Sequence, residues 1–229
     1  MSGEHPRDAS GLDPSRVYAR RFAGDEAFRR AMWRVLVKWF SRWIPRDAVV
    51  VEIAAGHCEF INAVSASRRV AIDLNPDTKT HAAEGVEVVI ADARDTAAVA
   101  AGSADVVFVS NFFEHLERTA ILDTIRAAHR MLRPGGRLLV LQPNIRFAAR
   151  DYWMFFDHVT PIDDRALCEA LELCGFEIET SIPRFLPYST KTRLPKSTLL
   201  LELYLRVPLA WKFLGGQAFV VARALSPSR

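Results

Sequence analysis

The stretch VVVEIAAGHCEF, Val49 to Phe60, decides how the rest of the chain is read. Three valines lead into an acid, Glu52, and the small residues Ala54, Ala55 and Gly56 precede a helix start. A β-branched run that ends in a tight turn of small residues and opens a helix has the form of a cofactor-binding turn, here with most of its glycines replaced.

Working outward, strand-like runs recur on both sides of this turn. They lie near 48–55, 68–75, 86–92, 104–111 and 136–144, and their near-continuous apolar character predicts strands buried on both faces of a parallel sheet. Helical segments separate them. The clearest runs from Leu116 to Leu132 and stops at RPGG. Upstream, Asp25 to Trp43 places Phe28, Met32, Leu36, Trp39 and Phe40 at helical spacing with arginines between them, an amphipathic helix before the first strand. Downstream come a helix in DDRALCEALELCGF, a strand in FEIETSIPRF, an insertion at about 187–215 and a last strand in QAFVVARAL. The alternation predicts an α/β, Rossmann-like sheet with helices on both faces and right-handed crossovers. Residues 1–24 form a polar tail and lid segment and 25–229 a single domain; Tyr18 and Phe22 are placed either in a lid over the cofactor or against the first helix.

Composition narrows the class. The formal charge of +3 is too small to demand nucleic acid. Three cysteines, Cys58, Cys168 and Cys174, have no metal-ligand spacing, and their odd number argues against a disulfide framework. The opening stretch MSGEHPRDASGLDPS has no apolar run, so a cytoplasmic location is expected. The apolar stretch Leu199 to Leu214 contains Glu202, Arg206, Pro208 and Lys212; it is too short and too charged to span a bilayer and is read as a packed or interfacial helix pair.

Ligands of open α/β sheets sit beyond the carboxyl ends of the strands. Glu52 closes the first strand, Asp73 the second, 21 positions later, Asp92 the third, and Ser110 with Asn111 the fourth. A carboxylate at Asp73 suits the two hydroxyls of a ribose, and one at Asp92 an adenine amino group. A nicotinamide site fits poorly, because its last glycine would fall on Glu59 and the acids would repel a pyrophosphate; beside a cationic sulfonium or ammonium the same acids attract.

These segments resemble the class I S-adenosylmethionine-dependent methyltransferases. VVVEIAAGHCEF looks like the family's first motif, VAIDLNPD like its ribose-binding strand end, VIADARD like its adenine-contacting strand end, and SNFFEHL with LRPGGRLLV like its fourth and fifth strand regions. The resemblance covers roughly residues 46–183 and implies a seven-stranded sheet with an antiparallel last strand. It implies S-adenosylmethionine as cofactor, with S-adenosylhomocysteine as product, held by Glu52, Ala54, Gly56, Cys58, Asp73, Leu74, Asp92, Ala93 and Asn111. Two of the family's three glycines are replaced, by Ala54 and Cys58; the alanine is expected to be tolerated at negative φ, and the cysteine to add bulk near the methionine end of the cofactor.

The acceptor is read from the segments beyond the fourth and fifth strands. SNFFEH lacks the Asn/Asp-Pro-Pro-aromatic run of family members acting on nucleobase amines, and no Pro-Cys pair offers a nucleophile for a pyrimidine carbon. DYWMFFDHVTP, Asp151 to Pro161, resembles a segment of small-molecule and sugar methyltransferases, implying O-methylation of a hydroxyl on a sugar, glycan precursor or glycosylated natural product. His158, oriented by Asp157, is either the general base or the cap of the next helix; His115 is either the base or a residue packing on the cofactor. Tyr152 and Trp153, with Phe155 and Phe156, form either a stacking wall for the acceptor or core, and Asn144 is assigned to the acceptor as well. Arg184, Lys191, Arg193 and Lys196 with Tyr188 form either an anion subsite or a solvated loop. Glu114, His115, Asp157 and His158 are compatible with a divalent ion, though their spacing does not require one. A small-molecule or glycan acceptor, peripheral membrane contact and no nucleic acid are the partners expected. The alternative to an enzyme is a non-catalytic methyltransferase-like binding or scaffold protein.

Overall fold

A computed structural model describes residues 24–95, 97, 99–188 and 196–226. Seven strands form one sheet: β1 Val49–Ile53, β2 Arg68–Asp73, β3 Val86–Ile90, β4 Ala104–Ser110, β5 Leu132–Pro143, β6 Phe176–Leu186 and β7 Gln217–Ala224. Their order is β3-β2-β1-β4-β5-β7-β6. The pairs β1–β2, β1–β4, β2–β3 and β4–β5 are parallel, and β7 runs antiparallel to both β5 and β6. Strand order reverses between β1 and β4, so a crevice opens there beyond their carboxyl ends.

The sheet is the mostly parallel, Rossmann-like one the apolar runs predict. Val50, Val51, Glu52 and Ile53 of β1 are all buried, because helices cover both faces. On one face α1 (Glu26–Phe40) packs Trp33, Leu36, Trp39 and Phe40 onto Val50, Phe108, Leu139 and Phe219, joined by α2 (Glu59–Ala63). On the other, α4 (Arg118–Met131) and α6 (Asp164–Leu173) bury Ile121, Ile125, Leu167 and Leu171 against Val51, Val107, Leu138 and Val220. The short helices α3 (Thr78–His81) and α5 (Ile145–Tyr152) complete the crossovers.

Two elements differ from the sequence reading. The helix before RPGG ends at Met131, and β5 starts at Leu132, earlier than 136. Leu132 pairs with Ala104 before the register shifts to Arg137 opposite Val106, so Pro134, Gly135 and Gly136 form a bulge inside the strand. The insertion is a helix pair, α7 (Thr198–Arg206) and α8 (Pro208–Leu214), and α7 packs against α1. Among the described residues no helix is long and apolar enough to cross a membrane. Tyr18, Phe22, Lys191 and Arg193 lie outside the described residues.

Candidate active site

The turn after β1 keeps the shape that glycines would take. Ala54 has φ +56°, Gly56 +51° and Cys58 +57°. The expectation of a negative φ at Ala54 is therefore corrected: two non-glycine residues occupy the left-handed region, which costs each roughly 1–2 kcal/mol. Cys58 is corrected too. Its side chain is fully buried in the core, Sγ 3.7 Å from the Thr78 carbonyl, and is absent from the cavity wall. Burial pushes its thiol up to about 12, so no thiolate forms there.

Glu52 supplies what this turn lacks. The five-residue α2 has no side-chain cap from its own Cys58, and the Glu52 carboxylate instead accepts from the Ile61 N–H at 3.0 Å. Burial pushes the Glu52 carboxyl well above its ordinary range. At the end of β2 the Asp73 carboxylate accepts from the Gly56 N–H at 2.7 Å and from the Asn75 N–H at 2.8 Å. This ties the first turn to the second strand end, and each oxygen keeps a lone pair for a further donor. Asp92 is gripped by Arg94, Nε and a terminal nitrogen both at 2.7 Å, and this pairing holds its carboxyl below the usual range.

These strand ends share one cavity of about 830 Å³, within the roughly 300–1,000 Å³ of small-molecule sites. Glu52, Ala54, Gly56, Asp73, Leu74, Asp92, Ala93 and Asn111 line it; Asn111 adopts φ +47° at the end of β4. Glu114, His115, Asp157 and His158 line it as well.

The loops carrying that second group are fastened to each other. The Glu114 carbonyl accepts from the Val159 N–H at 2.8 Å and the Thr160 N–H at 3.2 Å, and Thr160 Oγ1 donates to the Leu116 carbonyl at 2.6 Å. Between them His115 Nδ1 lies 3.2 Å from Asp157 Oδ2, and its Nε2 lies 3.8 Å from Glu114 Oε1. The His158 ring stands edge-on to His115 with centroids 5.0 Å apart. The structure thus pairs Asp157 with His115. His158 does not cap the next helix: Asp163 does, accepting from the Arg165 and Ala166 N–H groups.

Three acceptor assignments are corrected. Tyr152 is fully buried, its hydroxyl donating to the Thr160 carbonyl at 2.6 Å. Trp153 is 58% exposed and off the cavity wall. Asn144 is fully buried, capping α5 through Arg146 N–H and donating to Asp164 and to the Pro183 carbonyl. Arg184 is structural, since it donates to the Gly215 and Phe213 carbonyls. Lys196 pairs with Asp25 at the cavity rim.

The sequence reading missed the far wall. Trp33 and Leu36 of α1, Leu201 and Tyr204 of α7, and Gln217 of β7 line the cavity. Trp33 Nε1 and Gln217 Oε1 are buried with no hydrogen-bond partner among the described residues, which suits a polar group of a bound molecule. No local pattern marks either residue, because the elements that carry them lie at opposite ends of the chain.

A sheet of this order, with acids closing β1, β2 and the third strand region around its switch point, defines the fold of the S-adenosylmethionine-dependent methyltransferases. A family model described as a methyltransferase domain matches residues 26–181, and the chain belongs to that family of enzymes. Solved structures agree in fold. A SAM-dependent methyltransferase from Archaeoglobus fulgidus is 17% identical with TM-score 0.65, covering 88% of this chain and 98% of its own. A chain from the complex of the Haloferax volcanii Trm112 methyltransferase activator with a methyltransferase is 15% identical with TM-score 0.69, covering 92% and 97%. Geranyl diphosphate C-methyltransferase from Streptomyces coelicolor A3(2), solved with Mg2+, geranyl diphosphate and S-adenosyl-L-homocysteine, is 11% identical with TM-score 0.58, covering 83% and 77%. No curated protein matches the sequence.

Proposed function

We propose that the chain transfers a methyl group from S-adenosylmethionine to a hydroxyl of a small acceptor, with His115 as the base. The observation that carries this reading is the His115–Asp157 pair, set beside His158 on the wall of the cavity that Glu52 and Asp73 also line. When bound, S-adenosylmethionine supplies a methyl on a cationic sulfonium and leaves as the neutral thioether of S-adenosylhomocysteine. The buried Glu52 carboxylate suits that cofactor's positive charges, and Asp73, already ordered by two backbone donors, suits its ribose hydroxyls.

With Nδ1–H donating to the Asp157 main-chain carbonyl at 3.1 Å, beside that residue's carboxylate at 3.2 Å, Nε2 of His115 carries the lone pair. It accepts the hydroxyl proton as the oxygen forms its bond to the methyl carbon and the carbon–sulfur bond breaks in line. The acceptor half of the cavity is walled by Met32, Leu36, Phe155, Leu186, Leu200 and Leu201. Among sugar hydroxyls, glycan precursors and glycosylated products, this wall favours a hydroxylated head carried on an apolar body. A peripheral membrane contact fits the same view. Leu200 and Leu214 line the cavity and are also 47% and 51% exposed, so the wall runs out into the apolar surface of α7 and α8.

The test is transfer of labelled methyl to a panel of pyranosides, phenols and prenol-linked glycosides, with cofactor affinity measured in parallel. His115→Ala is expected to lower turnover by roughly 10²–10⁴-fold with cofactor binding retained. Undiminished turnover in that variant would overturn His115 as base, and absence of cofactor binding by the wild type would overturn the reading altogether.

A further inference from the structure

We propose that Glu114, His115 and His158 bind one divalent metal ion of the zinc type, with an open position toward the cavity for an acceptor oxygen. One ligand atom from each residue lies within 4.8 Å of the other two. Tetrahedral bonds of about 2.0–2.2 Å place ligand atoms roughly 3.3–3.6 Å apart, so His115 Nε2 and Glu114 Oε1 at 3.8 Å are already near that spacing, and the widest pair closes onto an ion by drawing in at most about 1.5 Å. All three residues line the cavity, which leaves room for the open coordination position that catalytic zinc sites keep.

The surroundings have the form of a metal's outer shell. A ligating histidine usually donates its second ring nitrogen to a carboxylate, and ligating carboxylates are themselves hydrogen-bonded. His115 Nδ1 lies 3.2 Å from Asp157 Oδ2 while its Nε2 turns toward Glu114 Oε1. Glu114 in turn accepts from Gln142 Nε2 at 3.0 Å through its other oxygen. Glu114 is 2% exposed, and among the described residues it has no lysine or arginine partner. A divalent cation would supply a countercharge to this buried carboxylate. The main-chain bonds from Val159 and Thr160 to the Glu114 carbonyl hold the two ligand loops together before any ion arrives.

Two imidazoles and one carboxylate favour zinc or a neighbouring first-row ion over magnesium or calcium, which prefer all-oxygen sites. The site deepens the methyl-transfer reading, since the open position faces the same cavity. The metal would orient the hydroxyl and lower its pKa, so that the proton passes to solvent water rather than to the His115 imidazole, which is then a ligand.

The experiment reads metal before turnover. Protein stripped with EDTA is titrated with Zn2+ by calorimetry and with Co2+ by visible absorption, and S-adenosylhomocysteine binding serves as the folding control. One equivalent of Zn2+ and intense Co2+ bands are expected, with affinity weakened at least tenfold in His158→Ala and Glu114→Gln and unchanged in His129→Ala. Wild-type protein that binds no Zn2+, or His158→Ala and Glu114→Gln that bind it as well as the wild type while still binding S-adenosylhomocysteine, would overturn the site. Loss of turnover in His115→Ala from a wild type that binds no metal would overturn the metal and leave the imidazole base standing, so the two readings fail separately.

Discussion

Ala54 and Cys58 hold the left-handed backbone of a glycine turn at φ +56° and +57°, and the strain is borne because neighbouring bonds overdetermine the turn. Asp73 fixes Gly56 from outside, and Glu52 caps the helix that Cys58 leaves uncapped. Glu52 is itself costly, a carboxylate buried within a shell that already contains Asp73 and Glu59. Its folded-state pKa lies above its ordinary 4.5, so the native state holds a proton that the unfolded chain has released. Stability is therefore lost as pH rises from about 4.5 toward the folded value. Glu52→Gln, which can still accept from Ile61, is expected to make the ligand-free protein more stable than wild type at pH 7 and no different at pH 4. Urea unfolding at the two pH values checks this. The same variant should bind S-adenosylmethionine about tenfold more weakly, ~1.4 kcal/mol, because a carboxyl can release its proton beside a bound cation and an amide cannot.

At the scale of elements, the decisive contact joins the loop after β4 to the loop after α5, far apart in sequence. Thr160 is central to it: its N–H reaches Glu114, its hydroxyl reaches the Leu116 carbonyl, and its own carbonyl accepts from Tyr152. Thr160→Val removes the hydroxyl at nearly constant volume and leaves the half-buried Leu116 carbonyl short of a donor. It is expected to cost about 1–3 kcal/mol in chemical denaturation. Turnover should fall while cofactor affinity stays constant, since the loops carry His115 and His158 but none of the strand-end acids. Equal losses in both would show that the clamp supports the whole crevice.

Across the whole molecule, the helix pair inserted between β6 and β7 closes the far side of the cavity and presents an apolar outer surface. Leu199, Leu203, Leu209 and Phe213 are 57–74% exposed, and the exposed cations Arg206 and Lys212 lie on the same two helices. Exposed apolar side chains with cations on the same helices suit the headgroup region of an anionic bilayer, where each cation near the surface contributes about 1 kcal/mol. The protein is expected to sediment with phosphatidylserine vesicles at low salt, and Leu209→Glu with Phe213→Glu should abolish this. Sedimentation that is absent at low salt, or unchanged in the double variant, would remove the membrane from the account.

The amino-acid sequence by itself determined the sheet and the acids at its carboxyl edge. Buried parallel strands are apolar along their whole length, and the acids at or beside their carboxyl ends line the cavity, so Glu52, Asp73 and Asp92 can be located by position alone. Only the tertiary structure decided the rest. That Asp157 serves His115, that Asn144 and Tyr152 are internal struts, and that Trp33 and Gln217 meet across one cavity are consequences of loops and helices packed together from distant parts of the chain. Periodicity reports which face of an element is buried, whereas the partner on the other side is chosen by three-dimensional packing.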